Sequence, residues 1–221
     1  MKQLAPDDWQ LGGFPPNAIN VYLAGDVLID AATRRADRRI QRQVMNRPLS
    51  LLALTHVHPD HQGAAKAVCE ARGIPLGCHG DGVDAMEGRE SIQRAGADSV
   101  VNKLIKRYWE GPPHPVGRVL ADGDDVAGFR VIHAPGHAPS EVIFFRDSDR
   151  IAICGDVVNT MNLLTMVPGI REPPDDFTLD PPLNRKSIKL LAELEPSLIC
   201  AGHGPPSRDR KGLEQLAASF D

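Results

Sequence analysis

A six-residue polar stretch, HVHPDH at residues 56–61, gathers four metal-competent side chains: His56, His58, Asp60 and His61. In an extended segment alternate side chains point the same way, so His56 and His58 converge. Asp60 and His61 follow where the chain turns, and they can face the same point from another side. Imidazole nitrogens and a carboxylate oxygen are ligands that borderline divalent metals such as zinc prefer. Because the chain has only eight histidines in 221 residues, this concentration indicates a metal site rather than an ordinary polar loop.

Three isolated positions further along the chain share one local pattern, in which an apolar strand is followed by a glycine and then by a metal-capable side chain. They are Gly136-His137, Gly155-Asp156 and Gly202-His203. Glycine lets the backbone turn sharply and approach a neighbour closely where the side chain must be aimed. Each pattern taken singly is often just a turn. Together with the first stretch they supply seven ligands, more than one tetrahedral ion can use, and so they predict two metal ions.

The elements that must position these residues are short apolar strands alternating with helices. The predicted strands cover residues 19–23, 27–29, 49–54, 74–78, 129–133, 142–145, 150–154 and 197–200. The predicted helices cover residues 36–46, 61–72, 187–194 and 208–220. This alternation predicts an α/β or mixed α+β fold. Each candidate ligand follows a strand, which is where a rigid sheet carries functional loops.

Several segments allow more than one interpretation. Residues 84–108 have helical patterning without clear boundaries, and residues 159–182, with five prolines, are predicted to form a long loop that either covers the substrate or packs as an ordinary connection. Asp30 is interpreted as a hydrogen-bond partner of the next loop rather than a ligand. For His79 three interpretations remain, namely a pocket wall, exposure to solvent and a helix cap. His114 is predicted to lie at the surface. For Tyr22 and Trp109 we prefer a position in the core to one in the pocket.

Length and composition limit the classes of protein to which this chain can belong. A length of 221 residues fits a single domain over residues 1–221. Charged residues make up 24% and the net charge is −4, so we expect neither nucleic acid nor an anionic membrane as a partner. The first ten residues lack an apolar segment, and the four cysteines are scattered. We therefore expect a reduced, cytoplasmic protein that acts on a small-molecule substrate, in an oligomeric state that the sequence leaves open.

The seven-residue pattern resembles the metallo-β-lactamase fold superfamily, whose HxHxDH motif is followed by isolated His, Asp and His at later strand ends. Here the motif is at residues 56–61, the later ligands match in order, and the match spans nearly the whole chain. The resemblance implies a four-layer αββα sandwich with the metals along one edge of the two sheets. It also implies a ligand set: His56, His58 and His137 for the first metal, Asp60, His61 and His203 for the second, and Asp156 for both.

The resemblance leads to a hypothesis about the reaction. Two cations that share a water can lower its pKa toward neutrality. We expect a hydrolase (EC class 3) in which a metal-bridging hydroxide attacks an acyl bond in a thioester, ester or lactone. Asp60 would orient the hydroxide and shuttle its proton, while Asp156 would bridge the metals. The histidine-rich first site favours zinc, with iron or manganese as alternatives.

Within the superfamily the chain resembles the glyoxalase II-like and lactonase-like branches. It has only a short stretch after His203, where glyoxalase II enzymes have a helical extension that recognises glutathione. An alternative function is a mononuclear iron persulfide dioxygenase-like oxidoreductase, which would use two histidines and one carboxylate of the set. A nuclease of the same superfamily is disfavoured, because the chain lacks a basic stretch interleaved with aromatic residues.

Overall fold

Two β-sheets pack face to face and helices cover both outer surfaces, in a computed structural model that describes residues 1–93, 95 and 99–220. Within these residues the first sheet has seven strands that neighbour one another in chain order. They are β1 (Lys2–Ala5), β2 (Asp8–Gln10), β3 (Tyr22–Ala24), β4 (Val27–Ile29), β5 (Leu51–Ala53), β6 (Leu76–His79) and β7 (Arg118–Leu120). The first four pair antiparallel, and β4 to β7 pair parallel.

Parallel strands require crossover connections, and here the crossovers are helical. Helix α1 (Asp37–Gln43) joins β4 to β5, and α2 (Pro59–Gln62) with α3 (Ala65–Arg72) joins β5 to β6. A 3₁₀ turn at Gly80–Gly82, α4 (Val83–Met86) and α5 (Val100–Trp109) lie between β6 and β7. Because the crossovers return the chain to the same end of the sheet, the loops after β4 and β5 lie side by side.

The second sheet has five strands in the described part of the chain, in the order β14, β11, β10, β9, β8. They are β8 (Asp125–Val126), β9 (Phe129–His133), β10 (Val142–Arg146), β11 (Ile151–Gly155) and β14 (Leu198–Ala201). Strands β11 and β14 run parallel, and the other neighbours run antiparallel. The hairpin β12 (Asn159–Met161) and β13 (Pro168–Arg171) is separate, and a 3₁₀ turn (Asp175–Phe177), α6 (Pro181–Glu193) and α7 (Arg210–Ala218) complete the chain.

Three apolar clusters hold these layers together. The middle cluster lies between the sheets and includes Val142 and Phe144 of β10, while Ile143 and Phe145 of the same strand pack into the cluster beneath α6 and α7. This follows from the two-residue period of a strand, which sends alternate side chains to opposite faces. The third cluster lies between the first sheet and helices α1 and α3. The architecture is therefore αββα, as predicted.

Two predicted segments differ from the structure. The helix predicted for residues 61–72 is divided into α2 and α3, and at Gly63 an added Cβ would lie 2.4 Å from the backbone nitrogen of Arg34. The long loop predicted for residues 159–182 is wrong in part, because it contains β12, β13 and the start of α6. The prolines at 181 and 182 are compatible with the first turn of α6, because the N–H that a proline lacks would have no partner there. Asp180 caps this turn by accepting a hydrogen bond from the Leu183 N–H.

The segment predicted to be helical at residues 84–108 contains α4 and α5, while residues 94 and 96–98 lie outside the described residues.

None of the helices in the described part of the chain is both long enough and apolar enough to cross a bilayer. The assignment of residues 1–221 to one domain stays a prediction.

The packing of the first sheet can be tested with a matched pair of leucines. Leu28 is fully buried beneath the helices, and Leu164 is 95% exposed in the β12–β13 turn. We expect Leu28→Ala to lower the free energy of unfolding by about 2–5 kcal/mol, because it removes buried methyl groups and leaves a cavity. Leu164→Ala should stay within about 0.5 kcal/mol of the parent protein. Urea unfolding followed by circular dichroism measures both, and equal effects would contradict the packing described.

Candidate metal centre

The HVHPDH stretch follows β5 and bends at Pro59. His58 has an extended backbone, with φ −111° and ψ 158°, and Pro59 begins α2. The extended part presents His56 and His58, and the helical turn brings Asp60 and His61 around to the same side. Proline fits the first helical position because its φ is already helical and its absent N–H would have had no partner. The local sequence therefore produces the strand–turn–helix geometry that makes the four side chains converge.

The structure brings all seven predicted side chains together. Their ligand atoms form three overlapping groups, each within 4.8 Å: His56 with His58 and His137, His56 with His61 and Asp156, and Asp60 with His61 and His203. The Asp156 carboxylate is central. Its Oδ2 lies 3.6 Å from His61 Nε2, 3.5 Å from His137 Nε2 and 3.1 Å from His203 Nε2. Asp156 thus contacts histidines of both proposed metal sites.

Each of the five imidazoles uses its other nitrogen to contact an outer partner. The partners are Glu141 and Thr55 for His56, the Gln93 carbonyl for His58, Asp30 for His61, Thr178 for His137 and the Ala18 carbonyl for His203. Metal-binding histidines in proteins are held in this way, because the outer contact fixes the tautomer and the ring orientation. Every inner nitrogen is therefore oriented toward the cluster.

Three of the inner atoms have no hydrogen-bond partner among the described residues, although they are fully buried. They are His56 Nε2, His61 Nε2 and Asp156 Oδ1. Leaving one buried polar atom unsatisfied costs about 1–3 kcal/mol, so three in one cluster require a partner. A cation bound among them would satisfy all three. The donor set therefore fits divalent metal ions.

Burial and charge set the protonation of these histidines in the metal-free chain. Burial lowers the pKa of His58 to about 3 and the pKa of His137 to about 4, so both rings are neutral, as metal coordination requires. Burial also lowers the pKa of His203, but Asp156 and Asp60 more than reverse this effect and raise it to about 10. A cation that binds at His203 must therefore displace a proton.

Sequence reasoning interpreted Asp30 correctly and missed Glu141. Asp30 accepts hydrogen bonds from the N–H and hydroxyl of Thr55, in the loop after β5, and contacts His61 Nδ1 at 2.8 Å. Glu141 is fully buried; its Oε1 accepts from the Asp156 N–H at 3.1 Å, and its Oε2 lies 3.1 Å from His56 Nδ1. The available clue was an acidic residue directly before an apolar strand, since a buried carboxylate needs specific partners.

The other candidates from the sequence have separate roles. His79 caps the 3₁₀ turn by accepting from the Asp81 N–H, as one of its interpretations predicted. Tyr22 is buried in the middle cluster and donates its hydroxyl to the Ala201 carbonyl at 2.7 Å, which agrees with core packing. Trp109 is 38% exposed and lines a cavity, so the preference for a core position is wrong there. His114 belongs to none of the potential ligand groups among the described residues.

A cavity of about 820 Å³ opens onto the cluster. His58, Asp60, His137, Asp156 and His203 line it. Much of the remaining wall is apolar and comes from α5, from residues 14–19 and from the segment between β12 and α6. A volume of this size lies within the range of small-molecule sites, about 300–1,000 Å³. The cluster is thus accessible to a ligand of small-molecule size.

Comparison with known proteins identifies the family. The model of the metallo-beta-lactamase superfamily matches residues 14–203. The chain belongs to this superfamily. Within the metallo-beta-lactamase superfamily it is similar to the probable metallo-hydrolase YflN of Bacillus subtilis (strain 168), with 30% identity over 213 residues, covering 86% of this chain and 81% of YflN. All seven predicted ligands fall within the matched residues.

Two further proteins that resemble this chain are informative. The hydroxyacylglutathione hydrolase GloC of Haemophilus influenzae is 32% identical over 127 residues, covering 56% of this chain and 57% of GloC. The crystal structure of TTHA1623 in a di-iron-bound form superposes with a TM-score of 0.65 at 26% identity, covering 99% of this chain and 98% of that one. The sandwich fold is therefore shared over essentially the whole chain.

The contact between Asp30 and His61 can be tested by Asp30→Asn. One oxygen of Asp30 accepts from the Thr55 N–H, and the other faces His61 Nδ1. An asparagine that still accepts from the Thr55 N–H turns its NH₂ group toward His61 Nδ1. Because Nδ1 must then accept this hydrogen bond, the imidazole proton moves to Nε2. Protonated Nε2 can no longer bind a metal. We expect metal affinity at His61 to fall about 10–100-fold, measured by competition with a chromogenic chelator. Asp26→Asn, in the exposed β3–β4 turn, is the matched control, and equal affinities would contradict this role.

Gly202 provides a second test, because it leaves no room for a side chain. An added Cβ would lie 2.2 Å from Asp156 Oδ1 and 2.6 Å from His61 Cε1. Gly202→Ala should displace both ligands and lower metal affinity about tenfold or more while the circular dichroism spectrum is retained. Gly80→Ala is the control, since its Cβ would meet the nearest atom, Cγ1 of Val119, at 3.8 Å. Full metal content in the Gly202 variant at limiting metal would show that the close approach is unimportant.

Proposed function

We propose that this protein is a dinuclear metal-dependent hydrolase that cleaves an acyl bond, in a thioester, ester or lactone, of a small-molecule substrate. The observation that carries the proposal is the position of Asp156, whose Oδ2 lies within 3.6 Å of His61, His137 and His203. A carboxylate that lies between two groups of histidines is positioned to bind two ions at once. Superfamily membership and the similarity to YflN, a probable metallo-hydrolase, support hydrolysis in general.

The metal ligands are proposed residue by residue. His56, His58 and His137 would hold one ion, Asp60, His61 and His203 the other, and Asp156 both. Divalent ions in such a site act as Lewis acids and lower the pKa of water. We propose zinc because the first group is entirely imidazole. Iron is the alternative, since TTHA1623 has been crystallised in a di-iron-bound form.

The chain's own residues would do the remaining work. Asp60 lies at the cavity wall, with Oδ2 3.4 Å from His203 Nε2. We assign it to accept a hydrogen bond from the attacking water, to take up the proton at a carboxylate oxygen and to release it to the leaving group. Asp30 and Glu141 would hold His61 and His56 in place throughout, so that no ring has to reorient during turnover.

Two features support an acyl substrate rather than a nucleic acid. GloC, which matches about half of this chain, is named as a hydroxyacylglutathione hydrolase, and an acyl group on the sulfur of glutathione forms a thioester. The cavity next to the cluster is lined largely by apolar side chains and carries two arginines, whereas a nucleic-acid site requires an extended basic surface. A compact acyl compound fits such a cavity better.

Metal analysis combined with a substrate screen tests the proposal. We expect about two zinc ions per chain by mass spectrometry and measurable hydrolysis of at least one acyl thioester, ester or lactone. One iron per chain together with oxygen uptake on a persulfide would indicate a dioxygenase instead. Hydrolysis of a phosphodiester without any acyl substrate would indicate a nuclease.

Replacement of the shared ligand is the sharpest single mutation. We expect Asp156→Ala to lose metal and turnover together, with kcat/KM reduced about a hundredfold or more, because both proposed sites lose a ligand. Asp147→Ala is the control, because Asp147 is an exposed carboxylate directly after β10 that pairs with Arg130 of β9. Full activity in Asp156→Ala with stoichiometric metal would refute the scheme.

A further inference from the structure

Helix α5 has an apolar face that the rest of the described chain leaves uncovered. Val101, Leu104 and Tyr108 lie at helical spacing and are 56%, 51% and 49% exposed. An amphipathic helix on a globular protein normally turns its apolar face inward. In the described residues of α5 the buried side chain is instead the polar Asn102. The helix is therefore oriented so that its apolar face meets something other than the core.

That face is a wall of the cavity that contains the candidate metal centre. Val101, Leu104 and Tyr108 line the same cavity of about 820 Å³ as Asp60 and Asp156. Further apolar wall comes from Leu163 and Phe177, which are each 37% exposed. Because the cavity is continuous, a molecule with its reactive bond at the metal ligands can extend along α5. Burying an apolar chain there would cover surface that otherwise faces water.

The same cavity also has a basic part. Arg35 and Arg39 line it, and neither forms an ion pair among the described residues. Arg39 donates to the Gly12 carbonyl, which is neutral. The acidic residues of the wall are Asp60 and Asp156, and both belong to the metal centre. Two uncompensated guanidinium groups in a chain of net charge −4 match a negatively charged group on the ligand.

We propose that the substrate is an amphipathic thioester or ester with three parts: an apolar acyl chain along α5, a reactive carbonyl at the metal centre, and an anionic group on the thiol or alcohol half near Arg35 and Arg39. This inference rests on the proposed function and adds the substrate class. In the thioester case one water is added across the C–S bond. The carbonyl carbon gains the hydroxyl, the sulfur leaves with the electron pair and takes the proton, and the products are a carboxylic acid and a thiol.

Binding of non-hydrolysable analogues tests the apolar part. S-alkyl 3-mercaptopropionates with butyl, hexyl and octyl chains are titrated into the metal-loaded protein by calorimetry. We expect Kd to fall about two- to fourfold for each added methylene, as partial to full burial of a CH₂ group predicts. Leu104→Gln should reduce the dependence of Kd on the length of the alkyl chain. Leu164→Gln is the matched control, because Leu164 is also exposed but does not line the cavity, and it should keep the dependence.

The charged part is tested with two octyl ligands that differ in one end group. S-octyl 3-mercaptopropionate is an anion, and S-octyl 2-mercaptoethanol is neutral. We expect Arg35→Gln to reduce the preference for the anion about fivefold, as the loss of one exposed charge pair allows. Arg38→Gln is the control, since Arg38 is exposed and outside the cavity. A preference that stays unchanged in both Arg35→Gln and Arg39→Gln would come from the metals and would overturn the anionic part.

Parallel hydrolysis assays separate this inference from the proposed function. The acetyl and octanoyl thioesters of 3-mercaptopropionate are followed by release of free thiol. Hydrolysis with a Kd that is independent of chain length, or with an unchanged dependence in Leu104→Gln, would reject the acyl subsite and keep the hydrolase. Graded binding without hydrolysis of either thioester would reject cleavage of this class of thioester and keep the subsite. Graded binding and faster turnover of the octanoyl thioester than of the acetyl thioester would support both.

Discussion

A buried carboxylate among imidazole nitrogens is the constraint on which the rest of the molecule depends. Asp156 is 4% exposed, and an isolated charge at such a position would be costly unless it were paired and hydrogen-bonded. Its N–H is held by Glu141, and its Oδ2 faces three histidines. The parallel pairing of β11 with β14 brings the ends of these strands together, so that Asp156 and His203 meet. The sheets thus provide the rigid frame and the loops provide the ligands.

The sandwich was implied by the resemblance to the superfamily, while the residue patterns predicted most of the strands and the convergence of the seven side chains. Strands and convergence depend on local patterns: the two-residue period of β9 and β10, the turn at Pro59, and a glycine before each of the later side chains. Residues 129–133 were predicted as a strand with the bounds that the structure gives. Local chemistry was enough in these cases, because the residues that decide the geometry are neighbours in the chain.

The features that escaped prediction depend on contacts between distant parts of the chain. Glu141 acquires its role only because β10 carries it next to His56, and no spacing in the sequence relates the two. The prolines at 181 and 182 suggested a loop, but they lie where a helix accepts them. For Trp109 the core is the preferred prediction over the pocket, whereas the orientation of α5, set by tertiary packing, leaves it at the cavity.

The spread of the ligands along the chain has a thermodynamic consequence. Residues 56–61 follow a strand of the first sheet, while His137, Asp156 and His203 follow strands of the second, so neither sheet alone holds a complete set. An unfolded chain or a single sheet would bind metal weakly, whereas the folded sandwich would offer it all seven proposed ligands. Preferential binding to the folded state adds RT ln(1 + [L]/Kd), about 4 kcal/mol at a thousandfold excess over Kd. The metals would therefore link the two halves of the sandwich to each other, and metal availability would set the free energy of unfolding of the chain.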